Sequence, residues 1–274
     1  MKHRPVAVIA AVAALGLGLT ACTSSSGGTA GNIQLVTAGT LTVCTNPPWP
    51  PMEYTDDSGN IVGFDIDLMQ LVADKLGVKL AMVSSDFAQI TSGAQMAAKK
   101  CDIGASSITI TDDRKQAVNF SLPYFNANQA LAVKADSGIT GLADLKGKVL
   151  AVQDATTGAT YANDHAQQYG YTVKTFEDGG VALNAILAGT AAGALIDNAI
   201  AYDFAHHNPT TTVAAEFQTG EMYGIIAAKD ANGLALLDVV NQVLTTANSD
   251  GTYLKLYQKW VDPQATSASM PTAS

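Results

Sequence analysis

From residue 41 onward the chain alternates short runs of β-branched and apolar residues with longer stretches whose apolar positions recur at helical spacing. Residues 41–45 read as a buried strand. Residues 64–76 place Ile66, Met69, Val72 and Leu76 on one helical face, with Gly77 set to end the helix. A strand over 78–83 and a helix over 87–100 follow, then a strand-like 102–107 and a short helix capped by Thr111 that runs to Val118. After an apolar run at 131–133 the alternation restarts with strand 149–153, helix 157–168 closed by Gly170, strand 171–176 and helix 181–187. Strand 194–196, helix 199–207 and strand 222–228 come next. A helix over 234–248 carries Leu237, Val240 and Leu244 on one face, and a last helix over 252–260 stacks Tyr253, Leu256 and Trp260. Strands alternating with helices predict βαβ units around parallel sheets. The pattern makes two similar α/β blocks, with a third piece that can return to the first.

The ends of the chain follow other rules. Lys2 and Arg4 precede an uncharged apolar run over 6–18, and Leu19-Thr20-Ala21-Cys22 follows. That run is too short to cross a bilayer and has the layout of a secretory signal. Its ending resembles the bacterial lipobox, in which the cysteine is lipidated and heads the mature chain; the alternative is an ordinary signal with a chance cysteine. Acyl chains on Cys22 would anchor the protein at the outer face of the cytoplasmic membrane. Residues 1–21 are therefore expected to be a signal peptide. Residues 22–40, rich in Ser, Thr and Gly, are expected to be the lipidated cysteine and a flexible tether. Residues 263–274 read as a disordered tail. The segment between is long enough for one large domain or two lobes.

Charge and cysteine content narrow the function. Fifteen Lys and Arg stand against 24 Asp and Glu, a formal charge of −9, and the basic residues form no cluster. Such a chain is repelled by nucleic acid and by anionic lipid surfaces, which excludes nucleic acid as a partner. With Cys22 assigned to lipid, Cys44 and Cys101 remain, an even pair in an oxidising compartment. They predict a disulfide, the alternative being two separate buried thiols. No metal-ligand spacing and no cofactor or catalytic signature is present, so neither a metal nor a cofactor is expected. His206-His207 and His165 read as solvated histidines.

The distinctive motifs run in order. Trp49-Pro50-Pro51-Met52-Glu53-Tyr54, Gly63-Phe64-Asp65-Ile66-Asp67-Leu68, Cys101-Asp102-Ile103 and Ile108-Thr109-Ile110-Thr111-Asp112-Asp113-Arg114 come first. Phe120-Ser121-Leu122-Pro123-Tyr124-Phe125, Leu142-Ala143-Asp144-Leu145-Lys146-Gly147-Lys148 and Val152-Gln153 with Thr156-Thr157-Gly158 come next. Gly193-Ala194-Leu195-Ile196-Asp197 and Asp250-Gly251-Thr252-Tyr253 with Trp260 close the series. From Leu41 to about Val261 this series resembles family 3 of the bacterial extracellular solute-binding proteins, the polar amino-acid receptors of ABC importers. The resemblance implies a two-lobed, periplasmic-binding-protein-like α/β fold of type II, with two parallel-core sheets joined by two hinge strands. Lobe 1 would be residues 41–131 plus 224–262 and lobe 2 residues 134–222, with crossings near Ala132-Val133 and Tyr223-Gly224.

The resemblance also implies roles. Arg114 matches the arginine that grips a ligand carboxylate, and its planar fork suits that task. The helix beginning at Thr157 offers backbone N–H groups and a partial positive charge to the same carboxylate. Asp197 matches the acid that receives the ammonium, with Thr109 and backbone groups around Ser107 completing its shell. Trp49 and Phe87 match the aromatics that flank the ligand side chain. Asn46 stands where some relatives for basic amino acids carry an acid, which argues against a cationic ligand, and Glu53 is placed either to partner a polar side chain or to brace its loop. The implied protein is a monomeric binding lipoprotein, not an enzyme, that captures a polar amino acid such as glutamine, glutamate or asparagine by lobe closure and delivers it to a membrane permease. The alternative is an exported cyclohexadienyl (prephenate or arogenate) dehydratase on the same fold, with Glu53 or Asp197 as the acid.

Overall fold

A computed structural model describes residues 33–272; the predicted signal peptide, Cys22 and most of the expected tether lie outside them. In chain order the first block comprises β1 (Thr40–Thr45), β2 (Tyr54–Thr55), β3 (Ile61–Val62), α1 (Phe64–Leu76), β4 (Lys79–Ser84), α2 (Phe87–Thr91), α3 (Ala94–Ala97), β5 (Ile103–Gly104), α4 (Asp112–Ala117) and β6 (Asn119–Phe120). The second comprises β7 (Phe125–Lys134), β8 (Val149–Gln153), α5 (Thr157–Tyr169), β9 (Thr172–Phe176), α6 (Gly179–Leu187), β10 (Gly193–Asp197), α7 (Asn198–His207) and β11 (Thr211–Tyr223). The chain then returns through β12 (Ile226–Ala227), α8 (Ala231–Asp250) and α9 (Thr252–Trp260).

These elements build two sheets, ordered β4-β1-β5-β12-β6 and β11-β7-β10-β8-β9. In lobe 1, β1 runs parallel to β4 and β5, and the returning β12 lies antiparallel between β5 and β6. In lobe 2, β8 runs parallel to β9 and β10, while β7 is antiparallel to β10 and β11. Both parallel cores are buried strands covered by helices, as their near-continuous apolar runs require. Helix α1 ends where Gly77 takes a left-handed conformation at φ 70° and its N–H bonds the carbonyls of Ala73 and Asp74. Cys44 and Cys101 are joined as a disulfide across 57 residues, tying the end of β1 to the approach to β5. Closing a loop of that length stabilises by about 4 kcal/mol in the chain-entropy picture.

Five expectations are corrected. The first crossing lies between β6 and β7, at residues 121–124, and not at Ala132-Val133. The reason is that Phe125–Lys134 is one ten-residue strand whose register with β11, from Phe125 opposite Tyr223 to Lys134 opposite Thr211, commits all of it to lobe 2. Its partner Thr211–Tyr223 was read only at its end, because as a half-buried edge strand it shows weak alternation. The helix expected over 87–100 is two short helices, broken where Gly93 turns left-handed at φ 79°. Residues 33–39 are not free tether: Ile33 and Leu35 pack on the core, and the Val36 N–H donates to Asp102 Oδ1 at 2.7 Å. Nor is the described part of the tail frayed, since Met270 is buried and its N–H donates to Asn248 Oδ1 at 3.0 Å.

The second crossing falls at Tyr223-Gly224. There the Gly224 N–H donates to the Ile108 carbonyl, the Ile110 N–H to that of Met222, and the Tyr124 N–H to that of Tyr223. The two crossing segments thus run side by side at the floor of the cleft.

Candidate ligand-binding cleft

Lobe 1 presents a cation to the cleft. Thr111 caps α4 through its hydroxyl, which accepts from the Arg114 N–H at 3.2 Å and fixes the direction in which Arg114 leaves the helix. The guanidinium lies 5.3 Å from the centroid of Phe87. Its Nη1 donates to the Thr109 carbonyl at 2.9 Å, and its Nη2 crosses to lobe 2 to donate to the Ala155 carbonyl at 2.8 Å. Burial pulls the Arg114 pKa below its ordinary value, Asp197 and Glu221 push it back, and an arginine stays charged regardless.

Lobe 2 answers with a helix end and an acid. The Thr156 hydroxyl caps α5 by accepting from the Ala159 N–H at 3.0 Å. The N–H groups of Thr157 and Gly158 precede the first intrahelical donor, the Thr160 N–H that bonds the Thr156 carbonyl, so the helix itself leaves them free to face an anion. A Cβ at Gly158 would stand 2.7 Å from Gln129 Oε1, so a larger residue there would displace the Gln129 amide. Asp197 ends β10 at the N-cap position of α7 but makes no capping bond. Its carboxylate instead accepts from the Tyr223 hydroxyl and from Gln129 Nε2, both at 2.5 Å. Burial, followed by the nearby charge of Glu221, pushes Asp197 up to about 7, while Tyr223, Gln129 and Arg114 oppose the rise. A side chain that turns away from a vacant capping role toward the cleft is held for another task.

The other end of the cleft is uncharged. Gln153 Nε2 of lobe 2 donates to Asn46 Oδ1 of lobe 1 at 2.7 Å, and Asn46 Nδ2 donates to the Ser85 carbonyl at 2.8 Å. Trp49 packs on the start of α6 so closely that a Cβ on Gly179 would lie 2.2 Å from Trp49 Cζ3, and one on Gly180 would lie 2.6 Å from Pro48 Cγ.

Asn46, Trp49, Phe87, Ser107, Thr109, Arg114, Thr157 and Asp197 therefore line one pocket between the lobes. Glu53 does not. It is fully buried behind the wall and accepts from the Ser106 hydroxyl at 2.6 Å, so it braces the wall and does not face a ligand. Burial and then the neighbouring Asp65 hold its pKa well above the ordinary carboxylate value. Nor is the Ser107 N–H free for a ligand: it donates to Asp65 Oδ2 at 2.8 Å, and Asp65 in turn accepts from the Tyr124 hydroxyl. Ser106, Gln153 and Thr156 also line the pocket. Gln153 and Thr156 stand within family motifs that assign them no role, and Ser106 carries no signal beyond its place beside Ser107. Among the described residues no group of three or more His, Cys, Asp or Glu is placed to hold a metal ion, and no helix is long and apolar enough to cross a membrane.

Two α/β lobes that present opposite charges to one cleft have the architecture of the two-lobed solute-binding class. The profile of the bacterial extracellular solute-binding proteins, family 3, matches residues 41–263, and the chain belongs to that family. It is 35% identical over 210 residues to the ABC transporter glutamine-binding protein GlnH of Bacillus subtilis, covering 74% of each chain. An ancestral arginine-binding protein bound to glutamine shares 37% identity at a TM-score of 0.76, over 82% of this chain and 99% of that one. An ancestral amino acid-binding protein, AncCDT-1, described as a precursor of cyclohexadienyl dehydratase, shares 34% identity at a TM-score of 0.75, over 81% of this chain and 96% of the other.

Proposed function

We propose that this chain captures a free, uncharged polar amino acid by lobe closure and delivers it to the membrane permease of an ABC importer. The observation that carries the reading is that Arg114 of lobe 1 and Asp197 of lobe 2 line the same pocket from opposite sides. A zwitterion satisfies both at once. Its carboxylate takes the guanidinium fork and the N–H groups at the start of α5, and its ammonium takes Asp197 with the Thr109 hydroxyl. Each charge-assisted hydrogen bond contributes roughly 1.5–3 kcal/mol net, and a micromolar dissociation constant needs about −8 kcal/mol. Binding stabilises the closed form only by the difference in affinity between closed and open states. The side chain then lies between Trp49 and Phe87 and ends at the Asn46–Gln153 amide pair, which offers hydrogen bonds and no compensating charge. Lipid on Cys22 would hold the receptor beside its permease, and the protein works as a monomer.

A thermal-shift panel of the common amino acids, followed by calorimetry, tests the reading. Stabilisation by at least one neutral polar amino acid is expected; no response to any amino acid would overturn it. Cys22→Ala is expected to release the protein from the membrane fraction of its host. The likeness to AncCDT-1 favours a second reading, dehydration of prephenate or arogenate, which needs a protonated acid at the substrate. Glu53, whose pKa burial raises, sits behind Ser106 and outside the pocket, so binding is the reading favoured here. Formation of phenylpyruvate from prephenate by the purified protein would reverse that choice.

A further inference from the structure

Behind Asp197, on the strand that leads to the second crossing, sits another acid that the sequence gave no reason to single out. Glu221 lies near the end of β11, three residues before Gly224. The fully buried Gln129 of β7 donates from its single amide nitrogen both to Asp197 Oδ1 at 2.5 Å and to Glu221 Oε2 at 2.8 Å. The Gln129 Oε1 has no hydrogen-bond partner, so the amide is oriented by the two acids. Glu221 also borders the groove that contains Arg114 and Thr157.

We propose that Glu221 is a positioning residue for ligand capture: through the shared Gln129 amide and its own negative charge it sets the orientation and charge of Asp197, and so makes amino-acid affinity depend on pH. This rests on the reading of Asp197 as the ammonium site. The groups facing Asp197 are Tyr223 and Glu221 from β11, Gln129 from β7 and Arg114 from α4, with Glu53 acting at longer range. Glu221 faces Gln129, the Thr157 hydroxyl and Arg114, with Asp113 and Asp164 on the same groove. After burial itself, Glu221 is the largest cause that raises Asp197 to about 7.

The sign follows from linkage. An ammonium ligand favours the ionised carboxylate, so the complex holds fewer protons than the free protein. Affinity is then level above pH 7 and falls as pH drops below it, approaching tenfold per unit. Glu221→Gln keeps an oxygen to accept from Gln129 and removes only the like charge. It is expected to move the acid limb of affinity to lower pH by about one unit, while Glu221→Asp restores the wild-type profile.

Two measurements decide. The first is calorimetry with L-glutamine between about pH 5 and pH 9 on wild type, Glu221→Gln and Glu221→Asp. The second is carboxyl 13C NMR titration of the ligand-free proteins, with Asp197 assigned by its absence from Asp197→Asn. Downward movement of both the NMR midpoint and the acid limb in Glu221→Gln supports the role. An unmoved Asp197 titration overturns it, as does equal weakening at every pH, which is the mark of a purely structural brace. If Glu221→Gln moves the Asp197 titration but no protein binds glutamine at any pH, the coupling of charge stands and the role in glutamine capture falls.

Discussion

The two ends of the cleft are built from different chemistry. At one end Arg114 and Asp197 face each other from opposite lobes, supported by the first turn of α5. At the other, two neutral amides, Asn46 and Gln153, meet across the same gap at 2.7 Å beside the seat of Trp49 on Gly179. In the proposed reading the charged end takes what every amino acid has in common, and the neutral end takes what distinguishes one from another. The charged end therefore supplies affinity and the neutral end selectivity, because breaking a buried charge pair costs far more than exchanging one neutral hydrogen bond for another.

The strongest way to break that contrast is to remove the cation. Arg114→Ala is expected to weaken binding of the best ligand by two orders of magnitude or more, about 3–5 kcal/mol, since it leaves a carboxylate without its fork. The ligand-free melting temperature should barely change, because Arg114 is only half-buried. Intact affinity in calorimetry would remove Arg114 from the site.

A middle-sized effect should come from a position that touches no charged ligand group. Gly179→Ala puts a methyl 2.2 Å from Trp49, and overpacking of that kind costs about 1–3 kcal/mol. The overlap exists only while the lobes are together, so the variant is expected to lose affinity by roughly five- to a hundredfold with ligand preference unchanged. Trp49→Ala should restore most of the loss that Gly179→Ala causes in its background, the non-additivity of residues in direct contact. Additive losses would show that the two do not meet.

The smallest change in affinity should bring the largest change in preference. Asn46→Asp leaves an acceptor for Gln153 Nε2 and adds a negative charge at the neutral end. Binding of neutral amino acids is expected to fall by less than about tenfold, while the ratio of arginine to glutamine affinity rises by about tenfold or more, as one charge-assisted hydrogen bond allows. A competition assay in which the ratio stays fixed would show that the side chain of the ligand ends elsewhere.

Much of this was legible in the chain itself, for local reasons. Helix α1 announces itself by its apolar stripe and Gly77, and α5 by Thr156 before it and Gly170 after it. The family resemblance brought Arg114, Asp197, Trp49 and Phe87 forward as a group, and all four line the pocket. Glu53 was left between two roles because a carboxylate in a loop beside the pocket looks the same in sequence whether it faces the ligand or turns inward to Ser106. Gln129 and Glu221 were invisible for a related reason: they stand 92 residues apart, on strands whose pairing only the fold reveals.

Periodicity, capping residues and glycine positions determined the elements and their order, because those signals act over one or two turns of chain. Sequence also set the chemical inventory: two arginines, of which only Arg114 lies beyond the amino-terminal apolar run, and 24 acids in an otherwise apolar protein. Only the tertiary structure decided which strand the first crossing precedes, which acid faces the cleft and which is buried behind it, and that one amide nitrogen joins two carboxylates. Those outcomes depend on strand register and on burial, and both are settled by contacts between residues far apart along the chain.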